Sequence, residues 1–369
     1  MEGQTRLSVH SRSRSQLTVG KSSLTLNTCI VTGAPYRAPA WLPGGHAQTI
    51  YAARFAARPV VPYRRERWDT PDGDCIELDW VNGGQTTFSP SQAQEPARQR
   101  KRGLSPLVPL VVLFHGLEGG SGSHYALALM AAVAHRGWRG AVVHFRGCGG
   151  EPNRLPRAYH SGDSAEMDWI LRRLAAAQAG APLYAAGVSL GGNVLLKWLG
   201  ETGASACKVV ERAAAVSAPV DLMAAGDTLG RGFNLLYARN FLRTMKEKSL
   251  AKLSRFPGLY DARIVRAART LRAFDDVVTA PLHGFAGVDD YWTRASSKPW
   301  LRHIALPTLM INARNDPFLP FEAMPLPDEV AHAVVLEQPD EGGHVGFVSG
   351  PFPGNLLWLP RRILEFFSA

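Results

Sequence analysis

The spacing of hydrophobic and polar residues changes character along these 369 residues. Over 75–81 the pattern alternates. Ile76, Leu78 and Trp80 are interleaved with Glu77 and Asp79, the period-two signature of a half-buried antiparallel strand. The preceding stretch 64–70 faces it across Pro71, Asp72, Gly73 and Asp74, a run of turn formers, so the two predict a hairpin. From Leu110 onward, continuous apolar runs replace alternation. Residues 110–114, 141–145, 182–189, 213–217, 308–312 and 333–336 read as strands buried on both faces. Between and after them, 125–136, 163–178, 192–199 and 357–367 read as helices. This alternation predicts an α/β fold in which a mostly parallel sheet carries helices on both faces.

Three segments break the rhythm. Residues 1–35 read as a disordered N-terminal arm, and 83–106 as a flexible surface loop rich in Gln, Ser, Pro and Arg. The loop contains the basic run Arg98, Gln99, Arg100, Lys101 and Arg102. Residues 219–303 form a helical excursion inside a core made of 36–218 and 304–369. There Phe233, Leu236, Tyr237, Phe241 and Met245 share one helical face, with Arg239, Arg243 and Lys246 opposite. A second helix is expected over 264–274. The place of the excursion in the chain makes it a lid over a site at the strand ends.

Composition narrows the picture. The formal net charge of +10 raises the question of nucleic acid, but no helix-turn-helix, zinc-finger or RNP-type motif accompanies it, so none is expected as a partner. A basic surface does favour anionic lipids or a peripheral membrane contact. Cys29, Cys75, Cys148 and Cys207 are widely spaced and form no C-x-x-C pair, which argues against a zinc site or a disulfide scaffold. With no apolar run of membrane-spanning length and no secretory signal, the expected location is cytoplasmic, although the basic N-terminal arm is compatible with organelle targeting.

The chemistry concentrates at Gly187-Val188-Ser189-Leu190-Gly191, which joins an apolar strand to a helix. This is the setting of a nucleophile elbow, where flanking glycines allow a turn too tight for side chains. A serine hydroxyl needs an imidazole to take its proton, and the imidazole needs a carboxylate to orient it. Asp316 follows the strand at 308–312 and His344 follows the strand at 333–336, in the chain order such a relay requires. Asp328 and Asp340 are rival acids. Backbone amides of Leu190 and of Leu117, in the His115-Gly116-Leu117 loop, are the expected oxyanion donors. Arg146 is read as a loop brace and Cys148 as a packed thiol. No cofactor and no metal are called for.

Several segments together resemble the YheT-type esterase group of the α/β-hydrolase superfamily (AB hydrolase family 4). They are Gly44-Gly45-His46-Ala47-Gln48-Thr49-Ile50, His115-Gly116-Leu117-Glu118-Gly119, 145–154, Tyr159-His160-Ser161-Gly162-Asp163, 187–192, 315–318 and 343–347. The resemblance implies an α/β-hydrolase fold and a relay of Ser189, Asp316 and His344. The resulting expectation is a serine hydrolase acting on carboxylic esters with apolar acyl groups. An acyltransferase or thioesterase would use the same residues, and a non-catalytic scaffold would keep the fold without the reaction.

Overall fold

The computed structural model describes residues 35–82 and 107–369. The expected loop at 83–106, its basic run 98–102, and all but the last residue of the expected arm lie outside the described residues. Eight strands form one sheet in the order β1-β2-β4-β3-β5-β6-β7-β8. Their bounds are β1 Arg64–Asp69, β2 Cys75–Val81, β3 Leu110–Phe114, β4 Arg139–His144, β5 Leu183–Val188, β6 Arg212–Val216, β7 Thr308–Ile311 and β8 Val334–Glu337. The hairpin β1–β2 is antiparallel and joins β4 antiparallel, while every pairing from β4 to β8 is parallel.

Side-chain alternation along buried strands sorts the core into two layers. In β3, Leu110, Val112 and Phe114 pack with residues of α3 (Ser164–Ala177) and α4 (Leu190–Thr202). Val111 and Leu113 pack with α2 (His124–His135) and the last helix, α11 (Trp358–Ser368). Helix α1 (Gly45–Arg54) precedes the hairpin and lacks an amphipathic signature strong enough to read from sequence.

The excursion at 219–303 carries α5 (Leu222–Leu229), α6 (Leu235–Arg255), α7 (Ala262–Ala267), α8 (Leu271–Phe274), α9 (Ala280–Leu282) and α10 (Val288–Ala295). These build a hydrophobic cluster of their own around Leu242, Val265, Phe274 and Trp292, joined by Phe318 of the core. The single helix expected over 264–274 is in fact two. Ala268 leaves helical geometry, Thr270 caps α8 through the Ala273 amide, and the chain runs on into a π-turn at Asp275–Thr279. The break turns both Val265 and Phe274 into the cluster, which a straight helix would not allow. Likewise, Phe233 and Leu236 do not join the inward face of Tyr237, Phe241 and Met245, because both are exposed.

Strand β2 also departs from expectation, since all seven of its residues are buried rather than half of them. It lies between β1 and β4, and its acids are covered and paired. Arg65 donates to both Asp79 oxygens at 2.8 Å, His144 Nε2–H donates to Asp79 at 2.9 Å, and Ser121 adds a short hydrogen bond. Burial alone would raise the Asp79 pKa, but these partners outweigh it and hold the carboxyl below its ordinary value. Arg146 is buried with Asp72, Asp74 and Glu166, tying the hairpin turn to the start of α3 as the brace its position suggested. Replacing Asp79 by Ala should strand Arg65 and His144 and cost about 3–5 kcal/mol of unfolding free energy, read from denaturant midpoints. The contribution is present above the ordinary carboxylate range and fades as pH falls below it, so wild type and variant should converge in acid.

Candidate active site

The candidate nucleophile sits between β5 and α4 with φ 53° and ψ −120°, a conformation disfavoured for any residue bearing a Cβ. The glycines around it are dictated by contact. A Cβ at Gly187 would lie 2.5 Å from the Gly191 carbonyl oxygen, and one at Gly191 would lie 2.4 Å from that of Phe114. The strained turn is tied down by the Ser189 amide donating to Val216 O at 2.9 Å and the Asn193 amide donating to Ser189 O at 3.0 Å.

His344 and Asp316 come from the loops after β8 and β7. His344 Nδ1 donates to Asp316 at 2.9 Å, which leaves Nε2 bare to accept the Ser189 hydroxyl at 2.9 Å. Asp316 also accepts the Phe318 amide at 2.8 Å, and the Phe318 ring stacks on the imidazole with centroids 4.0 Å apart. The rival acids are exposed, and Asp340 lies near Arg314 instead.

Helix α1 holds these two loops in register. Gln48, wholly buried, accepts hydrogen bonds at Oε1 from the Gly342 amide (2.8 Å) and from Asn315 Nδ2 (3.1 Å). Asn315 Oδ1 accepts the Gly343 amide at 2.9 Å, and Thr49 Oγ1 accepts the His344 amide at 2.8 Å. The approach is so close that a Cβ at Gly45 would overlap Asn315 O at 1.9 Å. Sequence reasoning marked this G-H-A-Q-T segment only as a point of resemblance. Its role was hidden because it depends on contacts nearly 300 residues away.

Beside the elbow the Leu117 and Leu190 amides have no acceptor among the described residues. In the loop after β3 the Gly116 and Glu118 amides donate to the Tyr125 and Tyr159 hydroxyls, and Gly119 donates to Gly116 O, leaving Leu117. The Leu190 amide opens α4, where no carbonyl precedes it in the helix. His115 stiffens the loop as a neutral ring: burial drives its pKa down to about 3, Nδ1 donates to Gly116 O, and Nε2 accepts the Phe145 amide.

Ser189 and His344 open onto a cavity of about 140 Å³, walled by Leu117, Leu222, Leu229, Phe241, Met245 and Phe274 among others. Part of this wall belongs to the core and part to the excursion. Most of the wall surface is apolar, with polar side chains set into it. The Glu118 carboxylate pairs with Lys248 of α6 at 2.9 Å, His160 is neutral because burial lowers its pKa to about 3, and Asp275 comes from the π-turn. Burial pushes the Cys148 thiol up to about 11, which keeps it protonated as a packed side chain. Among the described residues no three His, Cys, Asp or Glu side chains gather as a metal-binding group.

The sequence profile of the alpha/beta hydrolase fold matches residues 109–351. The chain belongs to the α/β hydrolase family. Within it the hydrolase falls in the YheT-type group, being 37% identical over 325 residues to "Putative esterase YheT" of Escherichia coli (strain K12), with 88% of this chain and 90% of that protein covered. It is 29% identical over 359 residues to "Phospholipase ABHD3" of Mus musculus, covering 96% and 84%. The solved Pyrococcus furiosus esterase Pf2001 superposes with a TM-score of 0.50 at 15% identity, over 85% of this chain and 97% of that one, a likeness of fold alone.

The hydrolase thus brings together Ser189, His344 and Asp316 and leaves the Leu117 and Leu190 amides uncommitted near Gly116, where an added Cβ would lie 3.1 Å from Ser189 Cβ. Sequence reasoning did not find Gln48 and Thr49 as supports, nor Phe318 as the ring against His344, nor Asp275 in the cavity. Asp275 accepts from Thr279 and Trp292 at 2.6 and 2.9 Å, yet burial still raises its pKa to about 6. Between its ordinary 3.8 and about 6 the folded state holds a proton that the unfolded chain releases, so stability falls as pH rises through that window. Asp275→Asn, which keeps a carbonyl for Trp292, should be more stable than wild type at pH 8 by roughly 2–3 kcal/mol and no better near pH 4. Thermal unfolding across that range is the check.

Proposed function

We propose that Ser189, His344 and Asp316 form the catalytic triad of an ester hydrolase whose substrates carry apolar acyl groups. Relatives named esterase and phospholipase make the chain a hydrolase of carboxylic esters. The observation that carries the finer reading is the unbroken relay from Asp316 through His344 to Ser189, two hydrogen bonds of 2.9 Å at the mouth of an apolar cavity.

In this reading Ser189 Oγ attacks the ester carbonyl while His344 Nε2 takes its proton, and Asp316 stabilises the resulting imidazolium. The Leu117 and Leu190 amides receive the negative charge that develops on the carbonyl oxygen. His344 then protonates the leaving alcohol. Water, activated by the same nitrogen, attacks the acyl-enzyme and frees the acid. The acyl chain lies along Leu222, Leu229, Phe241 and Met245, an apolar wall that disfavours charged acyl chains.

A fluorophosphonate probe should label wild type at Ser189, and both Ser189→Ala and His344→Ala should abolish labelling and lower kcat/KM on a p-nitrophenyl ester by about 10⁴-fold. Labelling that survives Ser189→Ala, or folded wild type that resists the probe, would refute the assignment. Thr49→Val removes the acceptor for the His344 amide together with the hydroxyl's own bond to Gly45 O within α1, so it should lower kcat roughly ten- to a hundred-fold with little change in KM. Steady-state kinetics on the same ester separates the two parameters.

A further inference from the structure

The turn at Gly232–Asn234 and the first turn of α6 expose Phe233 (50%), Leu235 (41%) and Leu236 (57%) side by side. Arg231, Arg239 and Arg243 are exposed on the same segment, and none has an acidic partner among the described residues. Arginines such as Arg65, Arg67, Arg146, Arg157 and Arg272 meet carboxylates, whereas no arginine of 228–246 does so among the described residues. No acid occurs in the sequence between 228 and 246, nor in 35–65, which contains the neighbouring α1. The His46 ring of α1 lies 4.6 Å from Phe233, so the two acid-free segments are contiguous.

We propose that this face docks on a lipid bilayer bearing anionic headgroups, with Phe233, Leu235 and Leu236 entering the interface and the three arginines meeting the headgroups. Exposed apolar side chains framed by unpaired cations are the chemistry of an interfacial helix. A second copy of the chain fits less well, since a two-fold contact would set the arginines of one face against those of the other. The placement is also apt. Tyr237, one helical turn on, lies 4.8 Å from Phe318, whose ring stacks on His344, and Phe241 and Met245 of the same helix line the cavity. An ester held in the bilayer would therefore meet the face closest to the cavity wall. That advantage rests on the proposed hydrolase reading, whereas the docking itself does not.

The test is co-sedimentation of the full-length chain with vesicles of phosphatidylcholine, alone or mixed with phosphatidylglycerol. Wild type should partition about tenfold more strongly onto the mixed vesicles, with the preference lost at high salt. The double change Leu235→Glu and Leu236→Glu suits the start of a helix electrostatically, and should cut partitioning by about tenfold or more. Arg239→Gln with Arg243→Gln should remove the preference for the anionic vesicles. Circular dichroism and hydrolysis of a water-soluble short-chain ester serve as controls for folding and should be unchanged in each variant. Absence of vesicle binding by wild type would overturn the proposal, and so would binding that the glutamates leave intact, which would point to the basic run 98–102. A dimer broken by the glutamates, without vesicle binding, would assign the face to a second copy. Failure of wild type to hydrolyse any ester would count against the proposed activity and leave the vesicle result standing.

Discussion

A single forced turn organises the site. Ser189 occupies a backbone conformation that costs about 1–3 kcal/mol for a residue with a Cβ, and the surrounding fold has to hold it there. It does so with two backbone hydrogen bonds and with glycines whose missing side chains let β3, β5 and α4 approach within contact distance. The strain is shared. Glu118, Ser217, Val345 and Phe347 also have positive φ, and all lie on loops at the carboxyl edge of the parallel strands. Two buried layers, one on each face of the sheet, give these loops a base too rigid to relax.

In the proposed reaction the strained serine needs His344 and Asp316 held as firmly, and the sheet alone does not do that. Asp316 and His344 sit on separate loops, one after β7 and the other after β8. The part that joins the two loops is α1, which lies outside the parallel sheet and ahead of every strand in the chain. Gln48 ties the two loops together at one oxygen, and Thr49 takes the His344 amide. Because all of these groups are buried, losing one leaves a polar partner stranded rather than returned to water. That asymmetry keeps the imidazole in one place more effectively than the strength of any single bond would.

These two constraints differ in how far they could be read from sequence. The elbow is local: Gly187 to Gly191 announces itself by composition, spacing and flanking rhythm, and the parallel strands do so by continuous apolar runs. The places of Asp316 and His344 on the loops after β7 and β8 were legible because strand order fixes where loops end. The α1 brace was illegible for the opposite reason, since its meaning resides in contacts to residues far along the chain. The period-two pattern of β2 was read correctly as a strand and incorrectly as half-exposed, because alternating acids look solvated until Arg65 and His144 are found opposite them. The split of the 264–274 helix was hidden too, as the packing of Val265 and Phe274 into one cluster is a tertiary demand that overrides local propensity.

Charge follows the same logic. A net charge of +10 says little while every arginine is treated as an equal contribution to one total. Once the pairs are known, the sum separates into two populations. One is matched by acids at contact distance: buried Arg146 against Asp72, Asp74 and Glu166, Arg65 on Asp79, and at the surface Arg272 bridging Asp227 and Asp289. Such pairs contribute to structure and project little field outward, because each cation is cancelled at contact distance. The other population has no carboxylate within ion-pair distance among the described residues, and it includes Arg266, Arg269 and Arg302. It also includes Arg231, Arg239 and Arg243, which stand beside exposed apolar side chains in the acid-free segment 228–246. In the 228–246 set unpaired cations stand with exposed apolar side chains, so its position, beside the helix that walls the cavity, carries information that the total does not.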